Sequence, residues 1–114
     1  MLREVLQGKI HKATITEANI EYIGSITIDP ILLEKSGMWV GQKVLVVCNN
    51  SGARLETYTI EGTRVSGEIC MNGAAAHLIK SGDEVIIIGF CFSDEPVEPK
   101  CILVDDKNQY VRDL

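Results

Sequence analysis

The chain consists of short runs in which apolar, often β-branched residues alternate with polar ones, with turn residues at intervals of roughly 8 to 15 positions. Residues 9–15 alternate in this way, so Lys9 and His11 share one face of a predicted strand. Residues 43–48 and 84–92 are almost entirely apolar, which is typical of buried strands. The pattern predicts a small, closed, mainly β structure.

One short helix interrupts the strands. Asp29 is a capping residue, Pro30 occupies the first helical position and Gly37 lies just past the end, so the segment has both helix boundaries. Its leucines are expected to pack on the barrel. In the connector that follows, Trp39 is predicted to be a packing residue.

A hairpin is predicted after the helix, because Asn49–Gly52 is a strong turn signal between two strand patterns. In its second strand, residues 53–60, alternation places Arg54 and Tyr58 on one face and Thr57 on the other. For Thr57 and Tyr58 to serve one site, the strand must end or twist near that site.

The remaining segments have weaker patterns. Thr16–Asn19 is predicted to be a turn or a short helical start, and residues 65–71 to be a strand. Residues 101–105 form the last predicted strand, and Gln109–Leu114 is expected to be a tail that frays into solvent.

A Gly24-Ser25 pair lies inside the strand predicted for residues 22–29, where a glycine needs a reason. Gly24 can adopt backbone angles closed to other residues, and it leaves its carbonyl open to the hydroxyl of Ser25. Attack by Ser25 Oγ would convert the peptide to an ester, and β-elimination followed by hydrolysis would leave a pyruvoyl group. The alternative is an ordinary turn or bulge.

A second candidate site follows a predicted strand that stops at Asn72-Gly73 and opens into small residues. Backbone N–H groups are left uncovered at the start of the short helix that follows, and they could bind a carboxylate. The alternative is a turn whose alanines only allow close packing.

Length and composition describe one small domain, because 114 residues with 46% hydrophobic and 24% charged side chains supply a single core. So small a chain either shares its site between subunits or only binds something, and oligomers are expected. A net charge of -5 and a pI near 4.9 argue against a nucleic-acid partner.

Targeting signals and metal motifs are absent from the sequence. The N-terminus has no secretory pattern, and the longest apolar run is too short to span a membrane, so a cytoplasmic protein is predicted. The four cysteines are widely spaced and no histidine completes a zinc motif, so reduced thiols and no metal are expected. Two disulfide bridges in a secreted chain are the alternative.

Five motifs together resemble one family, the pyruvoyl-dependent aspartate 1-decarboxylases of pantothenate biosynthesis. The resemblance covers residue 6 to about residue 92. One departure is Val46-Val47-Cys48, where some members carry a tryptophan, which affects the predicted wall of the pocket. The motifs are Gln7-Gly8-Lys9-Ile10-His11, Tyr22-x-Gly24-Ser25, Thr27-Ile28-Asp29, Arg54-x-x-Thr57-Tyr58 and Asn72-Gly73-Ala74-Ala75-Ala76.

The resemblance implies a double-psi β-barrel with short helices and a homotetramer with sites between neighbouring subunits. It implies a zymogen that cleaves itself between Gly24 and Ser25, giving a β chain of residues 1–24 and an α chain of residues 25–114. Whether cleavage is spontaneous or needs a maturation factor stays open. The C-terminal tail matches least well.

The resemblance also implies the reaction. A pyruvoyl group from Ser25 forms a Schiff base with L-aspartate, CO₂ leaves, and Tyr58 returns a proton to Cα before β-alanine is released. Lys9 and Arg54 are the cations expected to bind the carboxylates of the substrate. Thr57 resembles the residue that assists cleavage near the Gly24 carbonyl, and we place it with the substrate-binding residues.

The loop of Asn72, Gly73, Ala74 and Ala75 resembles the substrate-binding loop of the family. Two rival functions remain at this point. One is a non-enzymatic barrel that acts as an interaction module, against which the combination of Gly24-Ser25, Arg54 and Tyr58 argues. The other is a pyruvoyl decarboxylase for another amino acid, whereas the paired cations favour a diacid.

Overall fold

The computed structural model describes all residues from 1 to 114 and is dominated by strands. Its elements are β1 Arg3–Thr14, β2 Glu17–Asn19, β3 Ser25–Ile28, α1 Pro30–Ser36, β4 Lys43–Cys48, β5 Arg54–Glu61, β6 Ile69–Asn72, a 3₁₀ helix Gly73–His77, β7 Glu84–Ser93, β8 Lys100–Val104 and β9 Tyr110–Asp113.

The strands form a single wall that the chain itself closes. The order of hydrogen-bonded neighbours is β2-β6-β3-β5-β4-β7-β1-β8-β9. Only Ile15 and Thr16 separate β1 from β2, yet six inter-strand steps would put these strands about 29 Å apart in a flat sheet. Three residues of chain span at most about 11 Å. The sheet must therefore curl, and the Thr16 N–H closes the seam by donating to the Ile69 carbonyl at 2.8 Å.

The core lies inside this wall and is filled mainly by β-branched side chains. Alternate residues of the longer strands point inward, as the sequence predicts, although register shifts interrupt the alternation in β1. Most of these inward side chains are fully buried. Leu32 and Leu33 of α1 also pack into the core. Fully buried members include Ile10, Ile26, Ile28, Val44, Val46, Ile69, Met71, Ile87 and Ile102.

The predicted helix boundaries are confirmed. The Asp29 carboxylate accepts from the Ile31 N–H at 3.0 Å, and Gly37 ends α1 in the left-handed region with φ 69°. The same carboxylate accepts from the backbone N–H groups of Val65 and Gly67 at 3.2 and 2.9 Å. Asp29 therefore fixes both the start of the helix and the turn before β6.

Three predicted segments differ from the structure. Residues 20–24 are turn and bend, so the strand predicted from residue 22 begins only at Ser25. Residues 17–19 are a strand, β2, because they pair in parallel with β6. The strand predicted from residue 65 begins at Ile69, because Val65 and Gly67 have φ values of 69° and 70° that no strand allows.

The predictions for the C-terminal residues and for Trp39 were wrong for the single chain. The C-terminal residues form β9, which pairs with β8, and Tyr110 lies under the Lys35 ammonium at 4.5 Å from the ring centroid. Trp39 is 80% exposed and packs into no core. The indole is thus available to a surface outside the chain.

Two other predictions concern the state of the cysteines and membrane-spanning segments. Cys48, Cys70, Cys91 and Cys101 are all free, and the first two are buried. No helix of the structure is long and apolar enough to cross a membrane.

Asn108 anchors the turn that precedes β9, and we predict that its side chain is a stability determinant. It accepts from the Thr14 N–H and donates to the carbonyls of Thr14 and Gly67, each at 2.8 Å, while fully buried. Asn108→Gly keeps the observed φ of 58° accessible. It should lower the free energy of unfolding by about 2–3 kcal/mol, because buried backbone groups lose their partners.

Urea unfolding at fixed protein concentration measures this effect, with Asn50→Gly as the control. Asn50 accepts one hydrogen bond, from the Glu84 N–H, at an exposed turn, and its loss should cost about 1 kcal/mol or less. Equal losses in the two variants would contradict the anchoring role of Asn108.

Candidate active site

Ser25 and Asn72 form the centre of the site, because the antiparallel register of β3 and β6 pairs them directly. Asn72 Nδ2 donates to Ser25 Oγ at 3.0 Å and to Thr27 Oγ1 at 2.9 Å, which uses both of its N–H groups. Ser25 is 1% exposed and Asn72 is 5% exposed. The hydroxyl is therefore held in one place, away from solvent.

The unusual backbone at this point belongs to Ser25. The sequence predicts special angles at Gly24, but Gly24 is not among the glycines with positive φ, whereas Ser25 has φ 143°. A non-glycine residue in this region carries about 1–3 kcal/mol of strain. The peptide unit between Gly24 and Ser25 is thus strained on its serine side.

Gly73 brings the backbone of the 3₁₀ helix against Gly24. Its φ is 72°, and a Cβ built on it would lie 2.8 Å from Gly24 Cα and 2.9 Å from Gly24 N. A Cβ on Gly24 would meet no atom within 4 Å. Of these two glycines, Gly73 is therefore the one whose lack of a side chain the fold requires. Of the next two residues of the loop, Ala74 is exposed and Ala75 is half-buried.

Tyr58 lies on the strand next to Ser25. β3 and β5 run parallel with Ile26 opposite Thr59, so Ser25 and Tyr58, one residue earlier on each strand, are at the same level. Because Ile26 and Thr59 point into the core, Ser25 and Tyr58 belong to the outer face of the wall. Tyr58 is 43% exposed, and its cross-strand neighbour on β4 is Lys43.

Arg54 and Thr57 lie on opposite faces of β5, as the alternation predicts. Arg54 is exposed on the outer face, opposite Val47 of β4, with no carboxylate partner. Thr57 is half-buried on the face that includes the fully buried Thr59. The structure thus places Arg54 on the face of Tyr58 and Thr57 on the other; the role of Thr57 stays a prediction.

Lys9 is separated from the other candidates within one chain. It lies on the outer face of β1, since its neighbour Ile10 is in the core. Strand β1 is not bonded to β3 or β5. Within the chain, Lys9 makes no side-chain hydrogen bond or ion pair with Ser25, Arg54 or Tyr58.

Cys70 is the other nucleophile near the site, and its surroundings keep it protonated. It precedes Asn72 by two residues on the same face of β6 and pairs with Thr27. Burial, together with the neighbouring carboxylates of Glu68 and Glu17, raises the pKa of the Cys70 thiol to about 11. At neutral pH the hydroxyl of Ser25 has no thiolate competitor on this face.

A cavity of about 390 Å³ is lined by Asn72 but not by Tyr58. Three carboxylates line it, from Glu17, Glu61 and Glu68, so it disfavours a dianionic ligand. No group of three or more histidine, cysteine or acidic side chains could hold a metal ion. The candidate cations Lys9 and Arg54 do not line this cavity.

Thr27 is the site residue whose role the sequence did not reveal. It follows Ser25 by two positions on the same face and takes the second N–H of Asn72. The spacing of two was visible in the sequence, but the contact depends on the register of β3 against β6, two strands that lie far apart in the chain.

Among solved structures, the chain is similar to a designed barrel. The rationally designed mkDPBB_sym1 protein, a double-psi β-barrel, superposes with a TM-score of 0.54 at 21% identity, over 76% of this chain and 99% of that chain. This likeness confirms the predicted fold class, a mainly β double-psi barrel.

Curated relatives are similar along almost the entire sequence, and the family model described as aspartate decarboxylase matches residues 1–111. The aspartate 1-decarboxylase of Neisseria meningitidis serogroup C is 51% identical over 118 residues, which cover 100% of this chain and 92% of the relative. That of Bacillus subtilis strain 168 is 52% identical over 113 residues, 96% of this chain and 89% of the relative. The chain therefore belongs to the aspartate decarboxylase family.

Proposed function

We propose that this chain is a carboxy-lyase that converts L-aspartate to β-alanine and CO₂ by means of a pyruvoyl group made from its own Ser25. The family match and relatives at about half identity support the activity and the substrate. The single observation that carries the cofactor part is the strained, buried Ser25 whose hydroxyl Asn72 holds at 3.0 Å.

Cleavage begins when Ser25 Oγ adds to the Gly24 carbonyl carbon and the C–N bond breaks, which turns the amide into an ester and frees the amine of residue 25. Loss of the Cα proton and breakage of the Cβ–Oγ bond then release the Gly24 carboxylate and leave dehydroalanine. Water replaces the nitrogen, which departs as ammonia. The products are residues 1–24 and a pyruvoyl-blocked chain that begins at residue 25.

The residues around Ser25 suit these steps. Rupture of the Gly24-Ser25 peptide relieves the strain of φ 143°. Asn72 Nδ2 fixes Oγ and stabilises negative charge that develops on it. The Gly73 backbone packs against Gly24, in space that a Cβ would fill.

Once formed, the pyruvoyl carbonyl supplies the electron sink that decarboxylation at Cα requires. Arg54 binds one substrate carboxylate in the bidentate manner of a guanidinium, since it is exposed and unpaired on the face of Tyr58. The Tyr58 O–H returns a proton to Cα after CO₂ leaves.

Lys9 binds the second carboxylate from a neighbouring subunit of a homotetramer. Strand β1 is not bonded to β3 or β5, and Lys9 forms no ion pair within the chain, which supports this assignment. Exposed apolar side chains such as Trp39 and Phe92 support subunit contacts. A maturation factor and a cytoplasmic location stay predictions.

The cofactor is tested on the protein as isolated, by intact mass. We expect two fragments, the larger lighter by one ammonia than a fragment that begins with serine. Aspartate with a borohydride reductant should attach substrate covalently to this fragment and abolish CO₂ release. Ser25→Ala should fold, remain one chain and release no CO₂. An active protein that consists only of uncleaved chain would disprove the cofactor proposal.

Gly73 should matter more for cleavage than Gly24, although Gly24 supplies the scissile carbonyl. In Gly73→Ala the new Cβ meets Gly24 Cα at 2.8 Å, and a left-handed φ on alanine costs roughly 1–2 kcal/mol more. Gly24→Ala meets no atom within 4 Å. A denaturing gel should show much less cleavage for Gly73→Ala, with circular dichroism confirming that both variants fold. The opposite order would show that Gly73 does not position the bond.

Sharing of the site is tested by complementation between two inactive variants. Lys9→Ala retains Ser25 and Ser25→Ala retains Lys9, so mixed tetramers regain complete sites if the two residues come from different subunits. Random mixing should restore up to about a quarter of the wild-type activity. If the co-expressed pair is as inactive as either variant alone, Lys9 does not act across the interface.

A further inference from the structure

Lys43 and Glu56 form an ion pair on the outer face, next to the proposed substrate site. Lys43 Nζ lies 2.6 Å from Glu56 Oε2, with side chains 74% and 62% exposed. The pair crosses diagonally from β4 to β5, because Lys43 is opposite Tyr58 and Leu45 is opposite Glu56. Glu56 holds the Lys43 ammonium by a hydrogen bond that raises the pKa of Lys43, so the pair is charged at neutral pH.

Glu56 also lies within reach of Arg54. The two side chains share the outer face of β5 at a spacing of two residues, which corresponds to about 6.6 Å between Cα atoms. Long side chains of opposite charge bridge such a distance easily. In the structure, nevertheless, Glu56 turns to Lys43, and Arg54 has no carboxylate partner. Lys43 therefore competes with Arg54 for the same carboxylate.

We propose that Lys43 is a positioning residue that holds Glu56 away from Arg54 and so keeps the guanidinium free for a carboxylate of the substrate. This inference rests on the proposed function of Arg54. Without Lys43, Glu56 is a tethered competitor at an effective concentration in the millimolar range. It neutralises Arg54 and repels a dianion, so it weakens substrate binding with little effect on the chemical step.

Other charged groups nearby do not replace Lys43. Lys43 and Glu56 line a surface groove of about 360 Å³. Glu4 of β1 lines the same groove, together with Gln42 and Phe90. It adds a negative charge near Lys43 and offers Glu56 no cation. The only other ion pair of the structure joins Arg64 to Glu34 at 2.8 Å, between the turn before β6 and α1. That pair provides a matched control.

The kinetic test uses Lys43→Met, which keeps the apolar stem and removes the charge. The KM for aspartate should rise about two- to fivefold, the range expected for one exposed ion pair. The kcat should stay within about twofold of wild type, since the bound substrate and the transition state lose the same binding energy. Adding Glu56→Gln to Lys43→Met should return KM to the wild-type value, and Arg64→Met should leave KM unchanged.

A chemical test needs no turnover. The neutral form of the guanidine group attacks the carbonyl carbons of phenylglyoxal, so an arginine paired with a carboxylate reacts more slowly than a free one. Peptide mapping by mass spectrometry should show Arg54 reacting faster than Arg64, whose guanidinium is bidentate with Glu34 at 2.8 and 3.0 Å. Lys43→Met should slow Arg54 toward the rate of Arg64, and the double variant with Glu56→Gln should restore it.

The two tests separate this inference from the proposed function. Failure of wild-type protein to release CO₂ refutes the function, while the reactivity of Arg54 still reports on Lys43. An Arg54 rate that does not change in Lys43→Met, or is not restored by Glu56→Gln, refutes the inference. The same conclusion follows if Arg54 in wild type reacts no faster than Arg64, or if KM rises in Lys43→Met and stays high in the double variant.

Discussion

One cross-strand pair, Ser25 opposite Asn72, determines the geometry of the site. The register of β3 against β6 places the two side chains on the same outer face. A shift by one residue would turn Ser25 into the core and break its bond to Asn72. That register is fixed by alternate residues, Ile26 and Ile28 on β3 and Ile69 and Met71 on β6, whose side chains are fully buried. The apolar core thus sets the position of a hydroxyl outside it.

The site lies on the outside of the barrel wall, where a row of residues crosses four strands. The row consists of Asn72 on β6, Ser25 on β3, Tyr58 on β5 and Lys43 on β4, all at one level of the sheet. The interior is filled with aliphatic side chains and leaves no room for a polar ligand. A wall built this way needs a second surface to enclose a substrate, which is consistent with a site shared between subunits.

Local signals in the sequence predicted the elements that depend on local chemistry. Asp29, Pro30 and Gly37 fixed both ends of α1, and Asn49–Gly52 fixed the hairpin, because caps and turns involve neighbouring residues. The alternation in β5 correctly separated Thr57 from Tyr58. Segments whose conformation depends on distant partners were predicted wrongly. β2 and β9 are strands only because β6 and β8 offer edges to them.

The candidate site likewise combines features that the sequence predicted with features that it did not. The Gly24-Ser25 motif was visible in the sequence, but the positive φ of Ser25 and the close approach of Gly73 to Gly24 were not. The pairing of Lys43 with Glu56 across two strands was equally invisible, because charged residues are common on exposed strand faces. The resemblance to the family predicted roles for more residues than the hydrophobic periodicity did.

The seam at Ile15 and Thr16 has a consequence for the two pieces that self-cleavage would produce. Residues 1–24 contain β1, which is bonded to β7 and β8, and β2, which is bonded to β6 on the other side of the seam. Residues 1–24 are therefore hydrogen-bonded into the sheet on both sides of the seam. This short piece can leave only if the barrel opens, and after complete denaturation the two pieces must find each other again in a bimolecular step. Dilution would then oppose recovery, so the mature protein would owe its persistence to slow opening.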